Sequence, residues 1–261
     1  MKETTTKWDF LSTFKPPEEL SIESGKIYHI ERINEGSPDY DYVSKLFLST
    51  FGGIKIPHPA KPGFGPPGVK ISKKIPQPNW AGLGGMLPGG AMPPGAGGRV
   101  PTINKVEKIY NCVIYEKFIN EFKRMLRKYP QKGINDIMKH LFHGTRQTDP
   151  KMIYGSEDGL DIRFSNPGAY GTGVYFANNS LYSSTYAYPV PTGGGREFQM
   201  FVCLVLVGDS VQLQGGNYRI PPNKPGSQTE RYDSINNGPG GHYIIYDNLK
   251  SYPGYLINYT I

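Results

Sequence analysis

The chain holds two cysteines in 261 residues, Cys112 and Cys203, and no Cys-x-x-Cys pair. That excludes a disulfide framework and a thiolate zinc site. Each cysteine lies in an apolar, strand-like run, which predicts buried free thiols and a reducing compartment. No run approaches the eighteen apolar residues of a membrane span, and no apolar leader follows the polar start Met1-Lys2-Glu3-Thr4-Thr5-Thr6-Lys7. The expectation is a soluble, intracellular, cytoplasmic or nuclear monomer with no membrane partner. Phosphate-loop, Gly-x-Ser-x-Gly and His-Glu-x-x-His motifs are all missing. His140 and His143 stand three apart, but no carboxylate or cysteine cluster completes a metal site, so no metal is expected. Gly171-Thr172-Gly173 opens like a dinucleotide fingerprint, but the third glycine is absent and a strand pattern follows, which excludes a Rossmann reading.

Acidic residues are absent from residues 52–101, where 24 of the 50 positions are Gly or Pro. Lys55, Lys61, Lys70, Lys73, Lys74 and Arg99 give this stretch six positive charges, nearly all of the chain's net +7. Such a composition builds neither a helix nor a central strand, and predicts a long basic loop inserted into a nearly neutral domain. It reads first as a solvated spacer. As a docking arm, with Trp80 in it, it would suit an acidic protein or nucleic acid, although nucleic acid is not expected as the main partner.

The remaining pattern is helices first and strands later. Residues 1–26 read as a polar lead-in and residues 27–33 as a strand. Residues 39–51 show helical spacing after Gly36-Ser37-Pro38. Order resumes at Ile103, and Val106, Ile109 and the run Tyr110-Asn111-Cys112-Val113 suggest a strand. Ile114, Phe118, Phe122, Met125, Leu126 and Tyr129 then make an amphipathic helix that Pro130 ends, its basic outer face read as solvated surface. Strand runs follow at 138–143, 174–177, 199–207, 243–246 and 255–260, separated by turn clusters such as Asn237-Gly238-Pro239-Gly240-Gly241. This is an α+β domain with a mainly antiparallel sheet. Asn178-Asn179-Ser180 offers a helix N-cap, and in the helix it would start, Ser183 and Tyr186 share a face, a hydroxyl beside an aromatic ring.

Phe142-His143-Gly144-Thr145, Tyr170-Gly171-x-Gly173-Val174-Tyr175-Phe176-Ala177 and Tyr182-Ser183-x-x-Tyr186-Ala187 occur in that order. They are followed by residues 200–208, Tyr232-Asp233-Ser234-Ile235, Tyr243-Ile244-Ile245-Tyr246-Asp247-Asn248 and Tyr252-Pro253-x-Tyr255-Leu256-Ile257. The series resembles the catalytic domain of the poly(ADP-ribose) polymerase (PARP) family, the diphtheria-toxin-like ADP-ribosyltransferases. Its pattern is most similar to the mono-ADP-ribosylating and tankyrase-like branches. The resemblance covers residues 27–261, with 52–101 as an insertion. It implies a split β-sheet fold and NAD+ as co-substrate. It further implies that His143 hydrogen-bonds a ribose hydroxyl and that Gly144 meets the nicotinamide carboxamide through its backbone. Tyr175 would pack beside the nicotinamide, Tyr186 would stack on it, and Ser183 would bind its carboxamide. Thr145, Phe176 and Ala177 would belong to the same cofactor-binding segments, and Arg163 would approach the adenosine side.

The family's third catalytic position is a glutamate in polymerising members. Aligning on the strand at 243–246 places His242 there, and a one-residue slip places Gly241; no acid precedes Asp247 on either alignment. A carboxylate would stabilise the positive charge that develops on the ribose as nicotinamide leaves, and would polarise the attacking hydroxyl. A neutral histidine could instead accept a hydrogen bond or act as a base. The expectation is transfer of single ADP-ribose units to a protein acceptor. A catalytically silent NAD+- or ADP-ribose-binding module is an alternative, and nucleic-acid ends as acceptor are another. On that last reading the full chain binds single strands with a steep salt dependence, and deleting residues 54–100 weakens the binding. Unchanged affinity in a salt-series binding assay removes that reading.

Overall fold

The computed structural model describes residues 13–51, 100–191 and 197–261. The expected basic loop, with His58 and Trp80, therefore lies outside the described residues except for its last two positions.

The elements run β1 (Tyr28–Arg32), α1 (Pro38–Phe51), β2 (Thr102–Asn111), α2 (Cys112–Lys128), α3 (Ile134–Ile137), β3 (Met138–His143), α4 (Pro150–Tyr154), β4 (Val174–Ala177), α5 (Ser180–Ser184), β5 (Tyr188–Pro189), β6 (Glu197–Leu206), β7 (Ser210–Gln212), β8 (Ser234–Asn236), β9 (His242–Ile245) and β10 (Ser251–Thr260). Among the described residues they form one sheet in the order β1-β2-β10-β6-β3-β4-β9-β8-β7, with β5 paired to β6 off this path. Every pair is antiparallel except β7 with β8. The α+β class with a mainly antiparallel sheet is what the sequence pattern leads one to expect.

β6 shows why the core has two halves. Successive side chains on a strand point to opposite faces. Met200, Val202, Leu204 and Leu206 join α1 and α2 in one buried cluster, and Phe201, Cys203, Val205 and Val207 join Ile153 of α4, Leu160 and Phe176 in the other. A strand covered on both faces needs an uninterrupted apolar run, which this segment has. β10, its neighbour, is buried at every position but the last. It starts at Ser251, four residues before the expected strand, because the register shifts between Pro253 and Tyr255 and this bulge accommodates the proline.

The lead-in is less polar in structure than in composition. Phe14 is fully buried and packs edge-on against Tyr252 and Tyr255, with ring centroids 5.5 and 5.0 Å apart, and Leu20 is buried too. Cys203 is buried as expected, but Cys112 is only half-buried, because α2 begins there and not two residues later. The reason is Asn111, whose Oδ1 accepts the Ile114 amide at 3.0 Å as N-cap. Its Nδ2 also donates to the carbonyls of Tyr154 and Ser156 at 2.9 and 2.8 Å, fixing the end of α4 to the start of α2.

A second polar tie holds the far end of α2. The buried Asp233 carboxylate accepts from the Tyr129 hydroxyl, from the Asp209 amide at 2.9 Å and from Lys128 Nζ at 3.1 Å. Burial alone would raise its pKa; the Tyr129 hydroxyl, the Asp209 amide and the neighbouring lysines outweigh that and hold it below the usual carboxylate range.

Asn111→Ala leaves two carbonyls and one amide without their partner in a dry setting. It should cost roughly 2–4 kcal/mol of stability, read as a lower urea midpoint at unchanged slope.

Candidate active site

The site lies where the sheet is weakest. β3 pairs with β6 from Met138 to His143, but with β4 it shares a single Cα pair, Phe142 with Ala177. At that seam the last residue of β3, His143, donates from Nδ1 to the Tyr175 carbonyl of β4 at 2.8 Å. A carbonyl only accepts, so Nδ1 carries the proton and Nε2 presents its lone pair. Burial lowers the His143 pKa against the opposing effect of this bond, so the imidazole is neutral at neutral pH. The Phe176 ring supports it at 5.4 Å between centroids.

The chain then turns at Gly144, where glycine is required by close approach. A Cβ there would run into the Tyr186 carbonyl and lie 2.8 Å from the Ala187 nitrogen. Arg146, the non-glycine residue with positive φ (56°) among those described, uses that conformation to donate its amide to the same carbonyl at 2.8 Å. Its guanidinium sits over the Tyr186 ring, 4.6 Å from the centroid. Thr145 donates from Oγ1 to the Thr148 carbonyl at 2.6 Å, closing this loop on itself.

Tyr175 is held from above. Its hydroxyl donates to the Gly171 carbonyl at 2.7 Å and accepts the Tyr170 amide at 2.9 Å, while a Cβ at Gly168 would lie only 2.6 Å from its oxygen. The two glycines let the 168–171 turn close over the phenol.

α5 supplies the other wall. Asn179 caps it by accepting the Tyr182 amide at 3.0 Å. The helix ends at Ser184, so Tyr186 does not share a helical face with Ser183 as the spacing suggests; it stands in the turn beyond the Thr185 cap. Ser183 is buried and its hydroxyl reaches the Phe142 carbonyl at a long 3.4 Å. Tyr182 bridges the wall to the sheet: its ring lies 5.6 Å from that of Tyr186 and 4.0 Å from that of His242. Burial, then the Tyr186 and Tyr175 hydroxyls, push its phenol pKa up.

His242 is the first residue of β9, opposite Ala177. Its Nδ1 lies 2.9 Å from Asn237 Nδ2, and its amide donates to Asn237 Oδ1 at 2.8 Å. Burial lowers its pKa to about 4. The structure thus brings His143, Gly144, Tyr175, Ser183, Tyr186 and His242 onto adjoining segments around one seam. Phe176 and Ala177, expected on the cofactor-binding strand, are buried and support the site from beneath. Arg163 stands in the short 3-10 turn Ile162–Phe164 with its side chain 69% exposed, and it bonds Asp158 and Asp161, not these residues. Sequence reasoning gave no role to Tyr182, Arg146 or Asn237. Tyr182 stood inside a quoted motif; Arg146 and Asn237 carried no signal beyond their place beside His-Gly-Thr and in a glycine-rich turn.

A family model of the "Poly(ADP-ribose) polymerase catalytic domain" matches residues 97–234, more than half of the chain. The chain belongs to the PARP catalytic-domain family. A "Probable poly [ADP-ribose] polymerase" of Dictyostelium discoideum is 40% identical over 159 residues, 60% of this chain and 44% of that protein. The Homo sapiens "Protein mono-ADP-ribosyltransferase PARP14" is 32% identical over 162 residues, 60% of this chain and 9% of that protein. The Homo sapiens "Protein mono-ADP-ribosyltransferase PARP12" is 28% identical over 160 residues, 60% of this chain and 22% of that protein. The chain spans less than half the length of each of these relatives. The PARP match contains His143, Tyr175 and Tyr186 and ends before His242.

A buried histidine whose folded pKa is depressed adds stability above its unfolded value of about 6.5, and that stability is lost as pH falls through the folded value. The melting temperature should therefore drop between pH about 6.5 and about 4, the depressed value of His242. His242→Leu should make that drop shallower, checked by thermal melts across the window.

Proposed function

We propose that this PARP domain transfers single ADP-ribose units from NAD+ to a protein acceptor and releases nicotinamide. The observation that carries the reading is a neutral imidazole, His242, at the start of β9, where the polymerising pattern has a carboxylate. The seam between β3 and β4 supplies the binding groups.

When NAD+ is bound, departure of nicotinamide leaves positive charge on the ribose. The bare Nε2 of His143 accepts a ribose hydroxyl, its direction fixed by the Nδ1 bond to the Tyr175 carbonyl. The backbone at Gly144 and the Ser183 hydroxyl take the carboxamide; the hydroxyl's long bond to Phe142 is weak enough to exchange. Tyr186, backed by the Arg146 guanidinium, gives the nicotinamide a flat surface, and Tyr175 closes the opposite side. Orientation of the scissile bond and exclusion of water remain available without an acid. Activation of a ribose hydroxyl for chain elongation does not, because a carboxylate is missing from the position that would polarise it.

The same missing carboxylate favours a second reading, a domain that binds NAD+ or ADP-ribose without transfer. A NAD+ titration joined to a transfer assay separates the two. With labelled NAD+ and products resolved by size, wild type should give one discrete increment. His143→Ala should lose about 10²–10⁴ in rate. A ladder of long chains from wild type overturns the proposal, and binding with no transfer selects the second reading.

A further inference from the structure

We infer that Asn237 is a positioning residue that holds His242 as its Nε2–H tautomer, so that His242 presents a hydrogen-bond donor to the site and not a base. The Asn237 amide has a single orientation that satisfies both of its contacts with His242. Its Oδ1 accepts the His242 backbone N–H at 2.8 Å, a bond only the oxygen can make. The other end of the amide, Nδ2, is therefore the atom 2.9 Å from His242 Nδ1. An amide nitrogen only donates, so Nδ1 must offer its lone pair, and the single proton of a neutral ring stands on Nε2. An imidazolium would bring Nδ1–H against the amide N–H, a contact with no hydrogen bond in it.

The turn between β8 and β9 is shaped to keep that amide in place. Gly238 and Gly241 both take φ of +67°. The Gly238 amide donates to Asn236 Oδ1 at 2.9 Å, and the Gly241 amide returns to the Gly238 carbonyl at 3.0 Å. At Gly240 a Cβ would run into Asn237 Nδ2. Glycine at 240 thus leaves room for the amide itself. Tyr182 packs over the imidazole at 4.0 Å between centroids.

The consequence is a pair of neutral histidines of opposite polarity. His143 bonds a carbonyl through Nδ1–H and offers an acceptor; His242 bonds an amide through bare Nδ1 and offers a donor. A donor can orient a ribose or acceptor oxygen but cannot take a proton from it. The acceptor nucleophile must then arrive without help from this position. This last step rests on the transfer reaction proposed above; the tautomer does not.

Long-range proton–nitrogen NMR of the imidazoles tests the tautomer directly on the full chain. In wild type near neutral pH, Nε2 of His242 should be protonated and Nδ1 bare. Asn237→Asp replaces the donor with a carboxylate oxygen and should move the proton to Nδ1. Gly240→Ala, which displaces the amide while leaving both Asn237 and His242 unsubstituted, should give a mixture of tautomers. A wild-type ring with Nδ1 protonated, or with both forms as in free histidine, overturns the inference. In the labelled-NAD+ assay Asn237→Asp should lower kcat about 10-fold, the equivalent of one hydrogen bond, with KM for NAD+ within about two-fold. Unchanged kcat overturns the positioning role even where the tautomer is as inferred. Should wild type transfer nothing, the transfer reaction fails while the NMR result still decides the tautomer.

Discussion

The bond from His143 Nδ1 to the Tyr175 carbonyl is the constraint from which the rest of the site follows. β3 and β4 are neighbours in the sheet but share one Cα pair, so most of their facing backbone is not zipped together. The imidazole ties the end of β3 to β4 beside that pair, and in doing so it fixes the polarity of its own free nitrogen. The buried strands β6 and β10 make this arrangement affordable, because neither β3 nor β4 has to carry the sheet.

Much of the scaffold was legible because burial on both faces leaves a continuous apolar run, as in β6, and because α2 repeats its apolar positions at helical spacing. What escaped was set by contacts between distant segments. Pro253 concealed the first half of β10, since a proline reads as a break until a bulge accommodates it. Phe14 is one aromatic ring in a polar stretch, and only the packing against Tyr252 and Tyr255 gives it a place in the core.

The site divides the same way. His143, Tyr175 and Ser183 stand on elements that the periodicity locates, and the ordered motifs supply their expected roles. Tyr186 lies past the end of a helix too short to carry it, a boundary set by the Thr185 cap. Arg146 matters because of a left-handed backbone conformation, and Asn237 because of which end of its amide faces a ring. Both depend on the direction of single hydrogen bonds, which spacing does not encode.

The carboxylate of Asp233 sits directly before β8, and the β8–β9 hairpin carries Asn237 and His242 beyond it. Through Tyr129 and Lys128 that carboxylate is clamped to the C-terminal end of α2. The hairpin is thus moored twice, at its root on a helix and along β9 by four residue pairs with β4. The root and the tip are therefore tied separately, the tip by the Asn178 amide on the Gly241 carbonyl at 2.9 Å. A change at the end of α2 thus bears on the root of the hairpin while leaving every residue at its tip in place.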